Sequence, residues 1–423
     1  MVRQGHVFVA APIRFGCRAD LESLLATMTR EPGQADPENA LVPFGRLNRI
    51  HVARFVILDD PSLPDRLLLA ESLPVHEPVR LAFIADFDGD EADFFDALAA
   101  LAEAGLRRIF SFCIDFTPDA DLVEWMRDHN LPTAANYINW RGRSTRQIGE
   151  EAALHRALRP ARLLHDGLAP EALQRILLNI GGTVPLTPLR RSGLAEKLLD
   201  IGHFLLLPAI GLLLFPFVIV GAIPFVLVLR HRERTDPVLA PVPDRARNRM
   251  LSAQEDHDIT NQYSAIGSLK PGRFRRWLTV VILWVINWGA RHIYRKGRLA
   301  RVNTIHFASW TFLDERRRVY FASNYDGSRE AYNDDFINKV AFGLNLSFSN
   351  GLGYPRTDWL ILGGARREQD FKRYLFHHQI PTQVWYKAFP GLSNYDMARN
   401  ARIRAGIDHP PRGKALRRWL AEI

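Results

Sequence analysis

The chain has 423 residues, a formal net charge of +9, and is 47% hydrophobic and 24% charged. That length suits two domains and a linker, and that balance excludes wholesale disorder. Its two cysteines, Cys17 and Cys113, exclude a disulfide framework. The excess of basic residues calls for an anionic partner. Arg190, Arg191 and Lys197, then Arg230, Arg232 and Arg234, flank one apolar stretch, so anionic lipid headgroups fit better than nucleic acid.

In chain order, Val7–Ile13 reads as a short strand, and Leu21–Met28 as a helix behind Asp20. The N-terminal apolar run is too short for a secretory signal. Ile50–Leu58 and Leu81–Phe87 read as strands, Ala92–Ala104 as a helix stopped by Gly105, and Arg108–Phe116 as a strand. A helix over Ala120–His129 and a strand over Thr133–Ile138 follow. The order β-α-β-β-α-β is that of a ferredoxin-like unit, and the first repeat with its additions spans residues 1–165. Residues 139–200 and 231–256 carry Pro, Arg and mixed charge, Pro237, Pro241 and Pro243 among them, and read as linker.

Within the 166–256 connection lies Phe204–Leu229, which has no charged residue and no polar side chain. As a helix it would run roughly 39 Å at 1.5 Å per residue, more than the ~30 Å hydrocarbon core. It is expected to enter a membrane. Pro208, Pro216 and Pro224, with Gly211 and Gly221 between them, suggest a re-entrant hairpin turning near Phe215-Pro216. Both flanking parts would then sit on one side, taken as the cytoplasmic one.

Residues 257–409 repeat the first part. Ile50-His51-Val52-Ala53 recurs as Ile305-His306-Phe307-Ala308. Phe87-Asp88-Gly89 recurs as Tyr325-Asp326-Gly327, and His129-x-x-Pro132-Thr133 recurs as His378-x-x-Pro381-Thr382. Three collinear blocks argue for an internal duplication. Trp277–Ala290 then takes the place of the first repeat's Leu21–Met28 helix. Its Trp residues and flanking Arg predict one face in the core and one against lipid, with a short second span as the alternative. A basic tail, 410–423, closes the chain.

Two such repeats resemble the dimeric α+β barrel superfamily, in which fused members bring two sheets together. The resemblance covers residues 5–140 and 257–390 in element order, and it implies an α+β fold with an intramolecular barrel. Dye-decolourising peroxidases are among the proteins it is similar to, so the resemblance implies haem as a candidate cofactor, with His51 or His306 as axial ligand. It also implies a peroxide-handling role for Asp88 or Asp326 within an Asp-Gly turn. Ala85 and Ser323 stand where that family's motif has Gly.

Read without the resemblance, a repeated Asp-Gly is a turn or helix cap, and a strand histidine is a hydrogen-bonded core group. His377-His378 cannot share a helix face, Cys113 reads as a buried, inert thiol, and Glu255-Asp256-His257-Asp258 reads as a solvated acidic turn. Two functions follow as expectations. One is a membrane-attached, haem-dependent oxidoreductase acting on a hydrophobic or lipid-derived substrate. The other is a non-catalytic module binding lipid or a partner at the membrane surface.

Overall fold

The structure is a computed structural model that describes residues 3–69, 78–189, 193–239, 242, 244–294, 297, 299 and 301–423. Arg190, Arg191, Pro241 and Pro243 lie outside the described residues.

Eight strands carry the fold: β1 Gln4–Pro12, β2 Ile50–Leu58, β3 Arg80–Asp88, β4 Thr133–Ile138, β5 Thr260–Ser268, β6 Ile305–Leu313, β7 Arg318–Asp326 and β8 Val384–Lys387. They form two antiparallel four-stranded sheets, ordered β1-β3-β2-β8 and β4-β6-β7-β5. Each half of the chain thus lends its last strand to the other half's sheet. Neither sheet closes on itself. Before joining β6, the chain at Asn130 bridges Val9 of β1, and before joining β2, Gln379 bridges Ala265 of β5.

Strand alternation explains the layers. Val7, Val9 and Ala11 face helices α1 (Arg18–Ala26), α2 (Glu91–Phe110) and α3 (Leu122–Asp128). Phe8 and Ala10, between them, meet Val56 and Ile84 of their own sheet and Ile266, Tyr320 and Ala322 of the other. The sheets therefore stack face to face, and burial on both faces accounts for the almost unbroken apolar run of β2. Arg54 crosses that interface. Buried, it donates to the Tyr263 carbonyl (2.9 Å), to Ser264 Oγ (3.1 Å) and to Asn324 Oδ1.

Several expectations need correction. Arg108–Phe116 is not a strand. Helix α2 continues through Phe110 because Phe94, Leu98, Ala102, Leu106 and Ile109 recur at helical spacing on its buried face. Gly105 does not end it either: a Cβ there would lie 1.9 Å from the Leu41 carbonyl, so the glycine permits close helix–loop contact. The expected linkers are largely helical: α4 Thr145–Leu164, α5 Pro170–Thr183, α6 Leu194–Thr235 and α7 Arg245–Ser252. Leu154, Leu158, Leu173 and Leu177 pack there against Ile403, Leu416 and Trp419 of the C-terminal helices α11 (Asn394–Asp408) and α12 (Gly413–Leu420), so the basic tail is a docked helix.

The segment expected to re-enter is helical throughout. Helix α6 is continuous over 42 residues, with all three prolines inside it and no turn at Phe215-Pro216. Prolines eight residues apart each remove one hydrogen bond and leave intact turns between them. This helix is long and apolar enough to span a membrane. Yet its two ends are tied to the two ends of one helix, α8 (Arg273–His292). Near its start, His203 Nδ1 is 2.7 Å from His292 Nε2, and Trp288 Nε1 donates to the Phe204 carbonyl at 3.2 Å. Just past its end, Asp236 takes two bonds from Arg275, at 2.8 and 2.7 Å. Between these ties, residues 211–220 are exposed all round. Helix α8 itself packs Leu283 and Ala290 onto the second sheet and leaves Trp277, Trp284 and Val285 exposed.

Candidate functional site

The four residues singled out in the sequence come together as two pairs. His51 Nε2 lies 3.0 Å from Asp88 Oδ1, and His306 Nε2 lies 2.6 Å from Asp326 Oδ1. Each carboxylate also receives a backbone N–H from the first turn of a distant helix, Thr145 at 2.7 Å for Asp88 and Asn394 at 2.7 Å for Asp326. A hydroxyl completes each set: Thr145 Oγ1 at 2.9 Å and Thr260 Oγ1 at 3.1 Å. Negative charge at a helix N-terminus is favourable, so each aspartate pins α4 or α11 to a strand end. Gly89 and Gly327 follow with φ of +110° and +87°, which explains the repeated Asp-Gly. The caps of the next helices are Asp90 and Ser328 instead.

Both histidines line one cavity of about 590 Å³ with mixed walls, together with Gln4, Trp140, Arg143, Lys387 and Asn394 and with apolar Val52, Ile138 and Phe307. Sequence reasoning missed the five polar and aromatic partners from Gln4 to Asn394. Lys387 is held by Asp258 and by the Thr260 carbonyl (2.9 Å), and burial pushes its ammonium pKa down. The cavity does not fit haem. An axial histidine presents Nε2, the unhindered ring nitrogen, to iron, and here both Nε2 atoms point at aspartates. The acidic stretch also departs from expectation. Glu255 is buried, 2.7 Å from Gln379 Nε2 and 3.4 Å from Arg329, and burial pushes its carboxyl up to about 7. Among the described residues no cluster of three or more His, Cys, Asp or Glu is arranged to hold a metal ion. The Cys113 thiol is buried and pushed up to about 12, an inert state.

A second cavity, about 290 Å³, lies between the second sheet, α8 and α9 (Arg329–Phe348). Its walls are apolar: Tyr263, Trp310 and Phe321 from the sheet, Ile286 and Trp288 from α8, Phe336 from α9. Exposed Val285, Ile293 and Phe342 form part of its rim. The first half of the chain explains why the space is open. There Phe44 stacks on Tyr386 at 5.1 Å and packs on Phe55 at 6.5 Å. The corresponding residues of the second half, Tyr137 and Trp310, line the cavity. Among the described residues between α8 and β6, Tyr294 and Leu299 line the cavity and none takes the place of Phe44. No known protein family, curated protein or solved structure matches this chain.

Proposed function

We propose that this is a non-catalytic lipid-binding module seated on a membrane surface, taking one apolar molecule or acyl chain into the cavity beside α8. The cavity carries the proposal: it is an apolar space, near the lower bound of small-molecule sites, rimmed by exposed apolar side chains on the flank where α6 runs. On this reading the middle of α6 bows away from α8 into one leaflet and returns, because its ties lie roughly 50 Å apart along α6 and roughly 26 Å apart along α8 at 1.5 Å per residue. A helix apolar all round has no face to turn to water, so lipid and α8 together must cover it. Arg230, Arg232, Arg234, Arg273 and Arg276 sit at one end of the α6–α8 pair and would meet anionic headgroups of the cytoplasmic leaflet. The two sheets, joined by the bridges at Asn130 and Gln379, would form a barrel of two ferredoxin-like repeats with exchanged last strands. A haem-dependent oxidoreductase finds no support in the imidazole geometry.

Gly343 provides the test. It lines the cavity, and a Cβ built there meets nothing within 4 Å. Gly343→Phe should fill the space without straining the fold, at a helix position where the backbone is ordinary. Lipid extraction and native mass spectrometry of the purified full chain should find bound lipid in the wild type and its loss in the variant. Equal lipid content in both would exclude the cavity as the site.

A further inference from the structure

Three buried polar atoms of residues lining the apolar cavity have no partner, Trp310 Nε1, Ser268 Oγ and His378 Nε2, and only the last is an acceptor alone. His378 is 3% exposed, and it ends α10 (Glu368–His378). Its Nδ1 lies 2.8 Å from the Tyr374 carbonyl, so that nitrogen carries the proton. Nε2 is then a bare lone pair, and it is bonded to nothing although it is sealed from solvent and its residue lines the cavity. The surroundings are built to admit the ring. A Cβ on Gly267 would lie 2.3 Å from His378 Cδ2, so glycine leaves room for the imidazole there. Tyr374 packs beside it at 4.2 Å between ring centres.

The other half makes the same local bond without the same consequence. His129 Nδ1 lies 2.8 Å from the Trp125 carbonyl and stacks on Trp125, but His129 is only half-buried, so water reaches it. The acceptor is enclosed only where the cavity is. Resting on the lipid-cavity reading, we propose that the ligand is an apolar molecule bearing a hydroxyl, which donates its hydrogen bond to His378 Nε2. Burial pushes the imidazole down to about 4, so it stays neutral and an acceptor at neutral pH. A carboxylate or phosphate would face the His378 lone pair and carry an unpaired charge into apolar walls, which is disfavoured. A plain hydrocarbon would leave the lone pair unmet, which is costly inside an apolar site.

The experiment compares 8-fluorooctan-1-ol with its methyl ether, which keeps the chain and removes the donor. Binding to the full chain in fluorine-free detergent micelles is followed by ¹⁹F NMR, with affinities corrected for each probe's partition into empty micelles. The alcohol should bind about tenfold tighter than the ether. His378→Phe should bring the two together, and Gly343→Phe should exclude both. Equal affinity of the two probes for the wild type would overturn the hydroxyl assignment while leaving the lipid cavity standing, and this comparison needs no variant. A preference that survives His378→Phe would overturn it too. Failure of both probes to occupy the wild-type cavity would overturn the cavity reading itself.

Discussion

Asp236→Ala tests whether the far end of α6 is latched to the folded body. Arg275 is 1% exposed, and its Nε and Nη2 both reach Asp236 Oδ2, at 2.8 and 2.7 Å. Its Nη1 reaches Asn350 Oδ1 at 3.0 Å, a neutral partner that cannot balance the charge. Removing the carboxylate leaves a buried guanidinium uncompensated, a loss of about 3–5 kcal/mol. For a chain of this size that is a fall in Tm of roughly 3–6 °C. Hydrogen exchange should localise the loss to the first turns of α8 and the last turn of α6. The double variant Asp236→Leu with Arg275→Met removes both charges and should recover all but about 1 kcal/mol, because paired charges exchanged for apolar groups are near neutral. If the single variant stays within about 1 kcal/mol of wild type, Asp236 does not hold Arg275, and this ion pair does not latch the far end of α6.

Lys270 is buried, 2.8 Å from the Ser349 carbonyl, and desolvation followed by repulsion from Arg275 pushes its pKa to about 8. The unfolded chain holds that proton to near pH 10.5, so unfolding takes up a proton between these values. Stability should therefore rise with pH from about 8 to 10.5, and Lys270→Met should flatten that rise and add about 1–3 kcal/mol at pH 7, measured by denaturant titration. Asp326→Ala should cost about 2–4 kcal/mol by leaving His306 Nε2 and the Asn394 N–H without an acceptor, and Asp88→Ala should match it; unchanged stability in either would remove the pinning role. Cysteines placed at Lys197 and Ser252, in a Cys17→Ser background, should both be labelled from one side of sealed vesicles, whereas labelling from opposite faces would mean that α6 crosses the bilayer.

The strands β2, β3, β6 and β7 and the membrane-type helix were legible because their apolar runs leave few alternatives. The exchange of β4 and β8 was not, since no local pattern tells an edge strand which sheet to join. Helix α2 was cut short because Gly105 is a normal stop signal, and only the approach of Leu41 shows its other use. The helices at 145–183 hid behind Arg and Glu on their outer faces, with the buried leucines diluted among them. The histidine and aspartate positions were visible as repeated motifs, but their pairing, and the partnership of each aspartate with a helix more than fifty residues away, needed the fold. The cavity had no signal in its own sequence. It is visible only as the absence of a Phe44 equivalent among the described residues, once the two halves are compared.

The central claim is that α6, tied at both ends to α8, bows into one leaflet and returns. Spin labels at Leu206, Leu213, Val220 and Leu227, seven residues apart on one exposed face, measure it directly. Depth is read in anionic vesicles from the ratio of oxygen to nickel-chelate accessibility. The account predicts Leu213 and Val220 deep in the hydrocarbon and Leu206 and Leu227 shallow, with nickel chelate added outside the vesicles reaching both shallow labels or neither. One shared depth, or access of that chelate to one shallow label alone, would contradict it, because neither a flat nor a crossing helix can keep both ends on α8.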